Sequence, residues 1–132
     1  MKAFHLQIAT PDGISFDGEA VSLLVRTVSG DVEILAGHTE LTASVATGRV
    51  RLKTEEDERF ASASGGFLSV TRDGVILATT TFEFQDEIDL ARAEAARNKA
   101  EELIKTEKDE RLLRALEAKL ARAICRINVA KM

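Results

Sequence analysis

"FEFQDEIDLARAEAARNKAEEL", residues 82–103, is where the chain changes character. By Asp86 every one of the eight glycines, the single proline and all six phenylalanines have been used; after it there are ten alanines and none of those residues. Turn formers and aromatics suit short strands, whereas alanine mixed with Glu, Lys and Arg suits helix. The charge changes too. Residues 1–86 carry 13 acidic and 7 basic side chains, and residues 87–132 carry 9 acidic and 11 basic. The reading is therefore two parts, 1–86 and 87–132, in a chain of 132 residues, enough for one small domain with an appendage.

Upstream of this boundary, turn signals recur at short intervals: "TPDG" (10–13), "SGD" (29–31), "AGH" (36–38), "TG" (47–48), "SGG" (64–66) and "RDG" (72–74). Between them lie strand-like runs. In "AFHLQI", Phe4, Leu6 and Ile8 alternate with His5 and Gln7; in "RVRLK", Val50 and Leu52 alternate with Arg49, Arg51 and Lys53. Many short alternating runs predict an antiparallel β-sandwich or barrel. The acidic "TEEDER" (54–59) reads as a solvated hairpin tip.

Downstream, Asp86 is expected to cap a first helix, with Asp89 in its first turn near the positive end of the dipole. Ala93, Ala96, Ala100 and Leu103 make one apolar stripe. "KTEKD" (105–109) is a polar break, and Leu113, Leu116, Leu120, Ala123, Ile127 and Ala130 make a second stripe. Two stripes joined by a short break predict an antiparallel helical hairpin. Two helices of this size are marginal alone and need the β part, a ligand or another protein. The fold class is thus α+β, an N-terminal antiparallel β-sandwich followed by a C-terminal two-helix hairpin.

Composition narrows function mostly by exclusion. The net charge of -4 argues against general nucleic-acid binding. No apolar run approaches the ~20 residues that span a bilayer, and the start has no sustained apolar stretch, so no signal peptide is expected. Cys125 is the only cysteine, which excludes an internal disulfide and a cysteine-based zinc cluster. There is no Walker A loop. Neither His5 nor His38 has a spaced ligand cluster, so no metal is expected. Ser64 lacks an evident base. With no acid–base or nucleophile constellation, the chain reads as non-catalytic.

The hairpin raises a question about charge. With a turn near residue 107, Arg92 lies level with Arg122, and Ile88 with Arg126. Arg92 and Lys99 flank the seam on one helix, Lys119 and Arg126 on the other. Such a cationic flank needs offsetting, either by Asp89, Glu94 and Glu101 or by a bound anion such as a polyphosphate. For Asp89 and Arg92 the plain alternative is a local i,i+3 pair at a helix start.

Four segments, in order, resemble the epsilon subunit of bacterial F-type ATP synthases: "TPDG" (10–13), "GDVEILAGH" (30–38), "SGGF" (64–67) and "IDLARA" (88–93). The likeness covers essentially the whole chain. It departs at Glu33, where the family usually has glycine, and at Ala36, where it usually has proline. The resemblance implies a subunit of the central rotor of a proton-translocating ATP synthase. Residues 1–86 would hold the gamma subunit to the c-ring, with Asp31 and His38 as rotor contacts. The hairpin would extend along gamma to the catalytic hexamer and inhibit ATP hydrolysis. The complex would place the chain on the cytoplasmic side of the bacterial cell membrane, as a peripheral subunit. In some members the folded-down hairpin binds ATP as a regulatory ligand. The matching positions here are Glu83, Ile88, Asp89, Arg92, Ala93, Arg122 and Arg126, with Lys99 where binding members tend to have arginine. No cofactor is required. The alternative is a free-standing ATP-binding sensor.

Overall fold

The computed structural model describes residues 2–132. Ten strands come first: β1 Phe4–Thr10, β2 Gly13–Ala20, β3 Ser22–Thr27, β4 Gly30–Ile34, β5 Leu41–Ser44, β6 Gly48–Lys53, β7 Glu58–Ser64, β8 Phe67–Thr71, β9 Gly74–Ala78 and β10 Thr81–Phe84. A single 3-10 turn, Gln85–Glu87, leads to α1 (Leu90–Thr106) and α2 (Glu110–Ala130).

The strands form two five-stranded sheets, one in the order β2-β1-β9-β8-β5 and the other β10-β7-β6-β3-β4. The expected sandwich is present, and every neighbouring pair is antiparallel except β1 with β9. Alternation builds the core. Leu6, Ile8, Leu68 and Leu77 from one sheet meet Leu23, Val25, Val50 and Leu52 from the other, none more than 1% exposed. Each such side chain contributes about 1.5–3 kcal/mol on burial.

The turn at "SGG" shows why glycine is required there. Gly66 has φ +94°, and a Cβ at that position would lie 1.9 Å from the carbonyl oxygen of Ala78. A side chain would therefore push β8 away from the end of β9. "TEEDER" is the β6–β7 hairpin tip, where Thr54 Oγ1 accepts from the backbone N–H groups of Glu56 and Asp57 at 3.2 and 3.1 Å.

The helices form the expected hairpin, with residues 107–109 as the break. Asp109 caps α2, accepting from the N–H groups of Arg111 and Leu112. At α1 the expected cap is corrected. Asp89 Oδ1 accepts from the N–H of Arg92 at 3.0 Å, so Asp89 is the cap, while Asp86 lies in the 3-10 turn, exposed, 3.9 Å from Arg59. The reason is local: Phe84 donates its N–H to Glu87 Oε1 at 2.9 Å, which closes a separate tight turn and delays the helix by one turn. Arg59 stacks its guanidinium 3.6 Å from the centre of the Phe84 ring, fixing that joint to the core.

α1 packs on α2, and α2 in turn packs on β6 and β7. Ala93 and Ala100 are buried, but Ala96 and Leu103 of the same stripe are exposed. Ala123 and Ile127 are buried as the periodicity predicts, and Val129, outside the predicted stripe, is 1% exposed. No helix among the described residues is long and apolar enough to cross a membrane.

Candidate functional site

Strand register sets up the site. Glu83 on β10 pairs with Ser62 on β7, and Ser62 pairs with Arg49 on β6. The three side chains therefore share one row on the outer face of the second sheet, beneath α2. Arg126 reaches down to Glu83, with Nε–H donating to Oε1 at 2.6 Å and Nη2 to Oε2 at 3.5 Å. The two side chains keep only 24% and 35% of their surface exposed. From the residue before Arg126, Cys125 Sγ lies 3.3 Å from the Ser62 hydroxyl. At the helix end, Gln85 Nε2 donates to the Met132 carbonyl at 2.8 Å.

Beside this row the hairpin and the edge of the sandwich enclose a cleft of about 570 Å³. Lys99 of α1 and Lys119, Arg122 and Arg126 of α2 line it, against two carboxylates, Glu83 and Asp12. The α2 trio falls on one helix face because its spacings are three and four residues. Among the described residues, no carboxylate approaches Lys99, Lys119 or Arg122 within 4.0 Å. The floor is apolar, from Phe82, Ala100, Leu103 and Leu116. A cleft of this size, with an apolar floor and a few convergent cations, suits an organic anion.

The structure divides the eight predicted positions. Glu83, Lys99, Arg122 and Arg126 meet in the cleft. Ile88, Asp89, Arg92 and Ala93 do not line it. Ile88 is half-buried in the joint, Asp89 is occupied as the helix cap, Ala93 is fully buried, and Arg92 is exposed. The Asp89–Arg92 contact is therefore backbone capping rather than a side-chain ion pair. Lys119, read from the sequence as part of the cationic flank though not one of the positions matched to the family's binding pattern, also lines the cleft. Its signal was its place three and seven residues before Arg122 and Arg126. Thr80, Thr81 and Asp12 also line the cleft; their part depends on sandwich topology and has no local signal.

Asp31 and His38, expected together in one loop, are apart. Asp31 is the second residue of β4, where it binds Arg26 Nε–H at 2.6 Å. His38 lies beyond the other end of that strand, its Nδ1 2.7 Å from the Thr39 carbonyl. β4 runs to Ile34, so the segment read as a loop is half strand. Of the apolar residues around it, Ile34 is fully buried and Leu41 packs on the core, leaving Leu35 exposed. Glu33 accepts from Ser22 Oγ at 3.2 Å and pairs with Arg51; the departure from glycine thus places a carboxylate on the sheet's outer face.

Two family models match the chain. One, described as the β-sandwich domain of the ATP synthase delta/epsilon chain, covers residues 3–85. The other, its long α-helix domain, covers residues 86–131. Relatives named ATP synthase epsilon chain include that of Caldanaerobacter subterraneus, 38% identical over 98% of this chain and 94% of its own. That of Ruminococcus albus is 37% identical over 98% of both chains, and that of Bacillus velezensis is 38% identical over 98% of both. Among solved structures, a chain in the Euglena gracilis mitochondrial ATP synthase shares the fold. Its TM-score is 0.84 at 22% identity, over 98% of this chain and 82% of that one.

Proposed function

Since this chain belongs to the ATP synthase delta/epsilon-chain family and is a non-catalytic subunit, we propose that it serves in the enzyme's central rotor. Residues 1–86 hold gamma to the c-ring, with His38 and Asp31 as contacts. Residues 87–132 form a regulatory hairpin that restrains ATP hydrolysis when it leaves the sandwich for gamma and the catalytic hexamer. The complex holds the chain as a peripheral subunit on the cytoplasmic side of the bacterial membrane.

The observation that carries this reading is how lightly the hairpin is docked. One half-buried ion pair and one thiol contact hold α2 to the sheet beside its apolar residues, and past the helix end Met132 meets Gln85 and Arg49. An element held this way is the kind that opens without unfolding the rest. The basic cleft supplies the control: ATP bound between hairpin and sandwich stabilises the docked form. A ligand at 100 times its dissociation constant adds about 2.7 kcal/mol to the form it binds, enough to shift such an equilibrium.

Removing residues 87–132 from the chain in the assembled enzyme is expected to raise its ATP hydrolysis rate. An unchanged rate at low ATP overturns the inhibitory role. The cleft also favours the rival reading, a free-standing ATP sensor. Co-purification with gamma and the c-ring separates the two.

A further inference from the structure

The joint between sandwich and hairpin spans residues 84–89, and its hydrogen bonds divide it unevenly. Phe84, 4% exposed, belongs to the sandwich core. On β10 it stands opposite Ala61 of β7. Its ring meets that of Phe82 edge-on, with centroids 5.0 Å apart, and carries the Arg59 guanidinium. The turn that follows folds back on this anchor. Phe84 donates its N–H to Glu87 Oε1 at 2.9 Å, and Ile88 donates its N–H to the Gln85 carbonyl at 3.4 Å. On the other side α1 is closed on itself. Asp89 accepts the N–H of Arg92 with its side chain and that of Ala93 with its carbonyl. Among the described residues, no backbone-to-backbone hydrogen bond joins residues 89–132 to residues 2–88.

Between these two closed units lie φ and ψ of Ile88 and φ of Asp89, at -78°, 125° and -83°. Rotation about them keeps every local hydrogen bond, because the Ile88 N–H stands upstream of all of them and both Asp89 acceptors stand downstream. Rotation anywhere from ψ of Phe84 to ψ of Glu87 breaks the bond from Phe84 to Glu87 or the one from Ile88 to Gln85. Hinges settle on the few positions that absorb a change in φ and ψ at least cost. We infer that the hairpin swings about Ile88 and Asp89, and that the turn Gln85–Glu87 stays on the sandwich, held there by Arg59 and Glu87. This rests on the reading that the hairpin leaves the sandwich, and deepens it by placing the hinge. The mechanical boundary then falls downstream of the composition change at Asp86 and of the division between the matching family models at residues 85 and 86.

The contacts given up on release are then the ones that reach the far end of the hairpin: Glu83 with Arg126, Ser62 with Cys125 and Gln85 with the Met132 carbonyl. The contacts that shape the joint are kept. Arg59 serves it twice, over the Phe84 ring and 3.9 Å from Asp86, so one side chain of β7 ties the turn to the core. Gln85, fixed by that turn, keeps its amide placed for the Met132 carbonyl. Half of the docking surface therefore survives each opening preformed, and the returning hairpin does not have to rebuild it.

The test is amide hydrogen exchange on the full chain, read by NMR under conditions where exchange reports the opening equilibrium. In wild type the Phe84 amide should exchange at least about tenfold more slowly than those of Ala123 and Val129 in α2. Glu87→Ala should speed Phe84 by about tenfold and leave α2 within about threefold of wild type, and Glu87→Gln, which keeps an acceptor oxygen, should restore most of the loss. Ile88→Gly should open α2 about two- to fivefold more than Ile88→Ala does, because glycine gains its extra freedom only where the open form releases the backbone. Both should leave Phe84 unchanged. If Phe84 exchanges at the α2 rate and speeds with α2 in Glu83→Gln, the turn leaves with the hairpin and the hinge lies upstream, while release of the hairpin stands. Equal exchange in Ile88→Gly and Ile88→Ala removes the hinge from Ile88 in the same way. If Ala123 and Val129 are as protected as Leu6 and Leu77 in the core, the hairpin does not open and both readings fall.

Discussion

In the sandwich, Leu6, Ile8, Leu23 and Leu77 have no exposed surface at all; in the hairpin, Leu103 and Leu112 keep 43% and 51% of theirs. The sandwich closes two sheets over a continuous core. The hairpin buries Ala93, Ala100, Ala123, Ile127 and Val129, three of them alanines that offer little area. The polar contacts Glu83–Arg126 and Gln85–Met132 add to these in attaching it. Burial of large side chains makes the first part resist opening. Small side chains and a few polar bonds give the second less to hold it closed.

Three substitutions sharpen or break this contrast. The largest effect should come from Leu77→Ala in the sandwich core, which is expected to cost about 2–5 kcal/mol, because the cavity cannot collapse between two paired sheets. The whole chain should melt earlier in denaturant. A helical transition that keeps its wild-type midpoint while the sheet transition moves earlier would show that the sandwich is not what supports the hairpin.

A smaller effect is expected from Glu83→Gln. The Glu83–Arg126 pair is neither fully exposed, where such pairs contribute about 0–1 kcal/mol, nor fully buried, where breaking one costs about 3–5 kcal/mol. A loss of about 1–2 kcal/mol in hairpin docking is expected, read as faster hydrogen exchange in α2 with β-sheet amides unchanged. Equal acceleration in both parts would mean the two open as one unit.

Asp89→Ala should have the smallest effect, about 1 kcal/mol, through loss of the α1 cap. It should fray the start of α1 in exchange measurements, and Asp89→Asn should recover most of the loss. Asp86→Ala should do neither, because Asp86 lies outside the helix. If Asp86→Ala frays α1 and Asp89→Ala does not, the helix begins a turn earlier in solution.

Periodicity and turn chemistry act over a few residues, and what depends on them was legible in the sequence. The alternation of Leu6 and Ile8 with His5 and Gln7 placed a strand with the right face inward. The 3–4 spacing from Leu113 to Ile127 placed α2, and the polar run at 105–109 placed the break. The same local rules were poor guides to the start of α1. Asp86 and Asp89 are equally good caps as residue types, and the choice between them was made by Glu87 closing a turn on Phe84. They also put Asp31 in a loop. It is a strand residue because Gly30 to Ile34 pair with β3, a partner whose register could not be read locally.

The sequence by itself determined that there are two parts, which is helical and which is sheet, and that the helical part carries excess positive charge. All of these follow from residue type and short-range period. The tertiary structure alone decided which of those charges meet. Lys99, Lys119, Arg122 and Arg126 come to one cleft while Arg92 stays outside, although on a helical hairpin drawn from sequence Arg92 and Arg122 stand level. The tertiary contacts that seat α2 on β6 and β7 include Cys125 against Ser62 and Arg126 against Glu83. That seating joins side chains 43 residues apart at Glu83–Arg126 and 63 apart at Ser62–Cys125, and no local period records it.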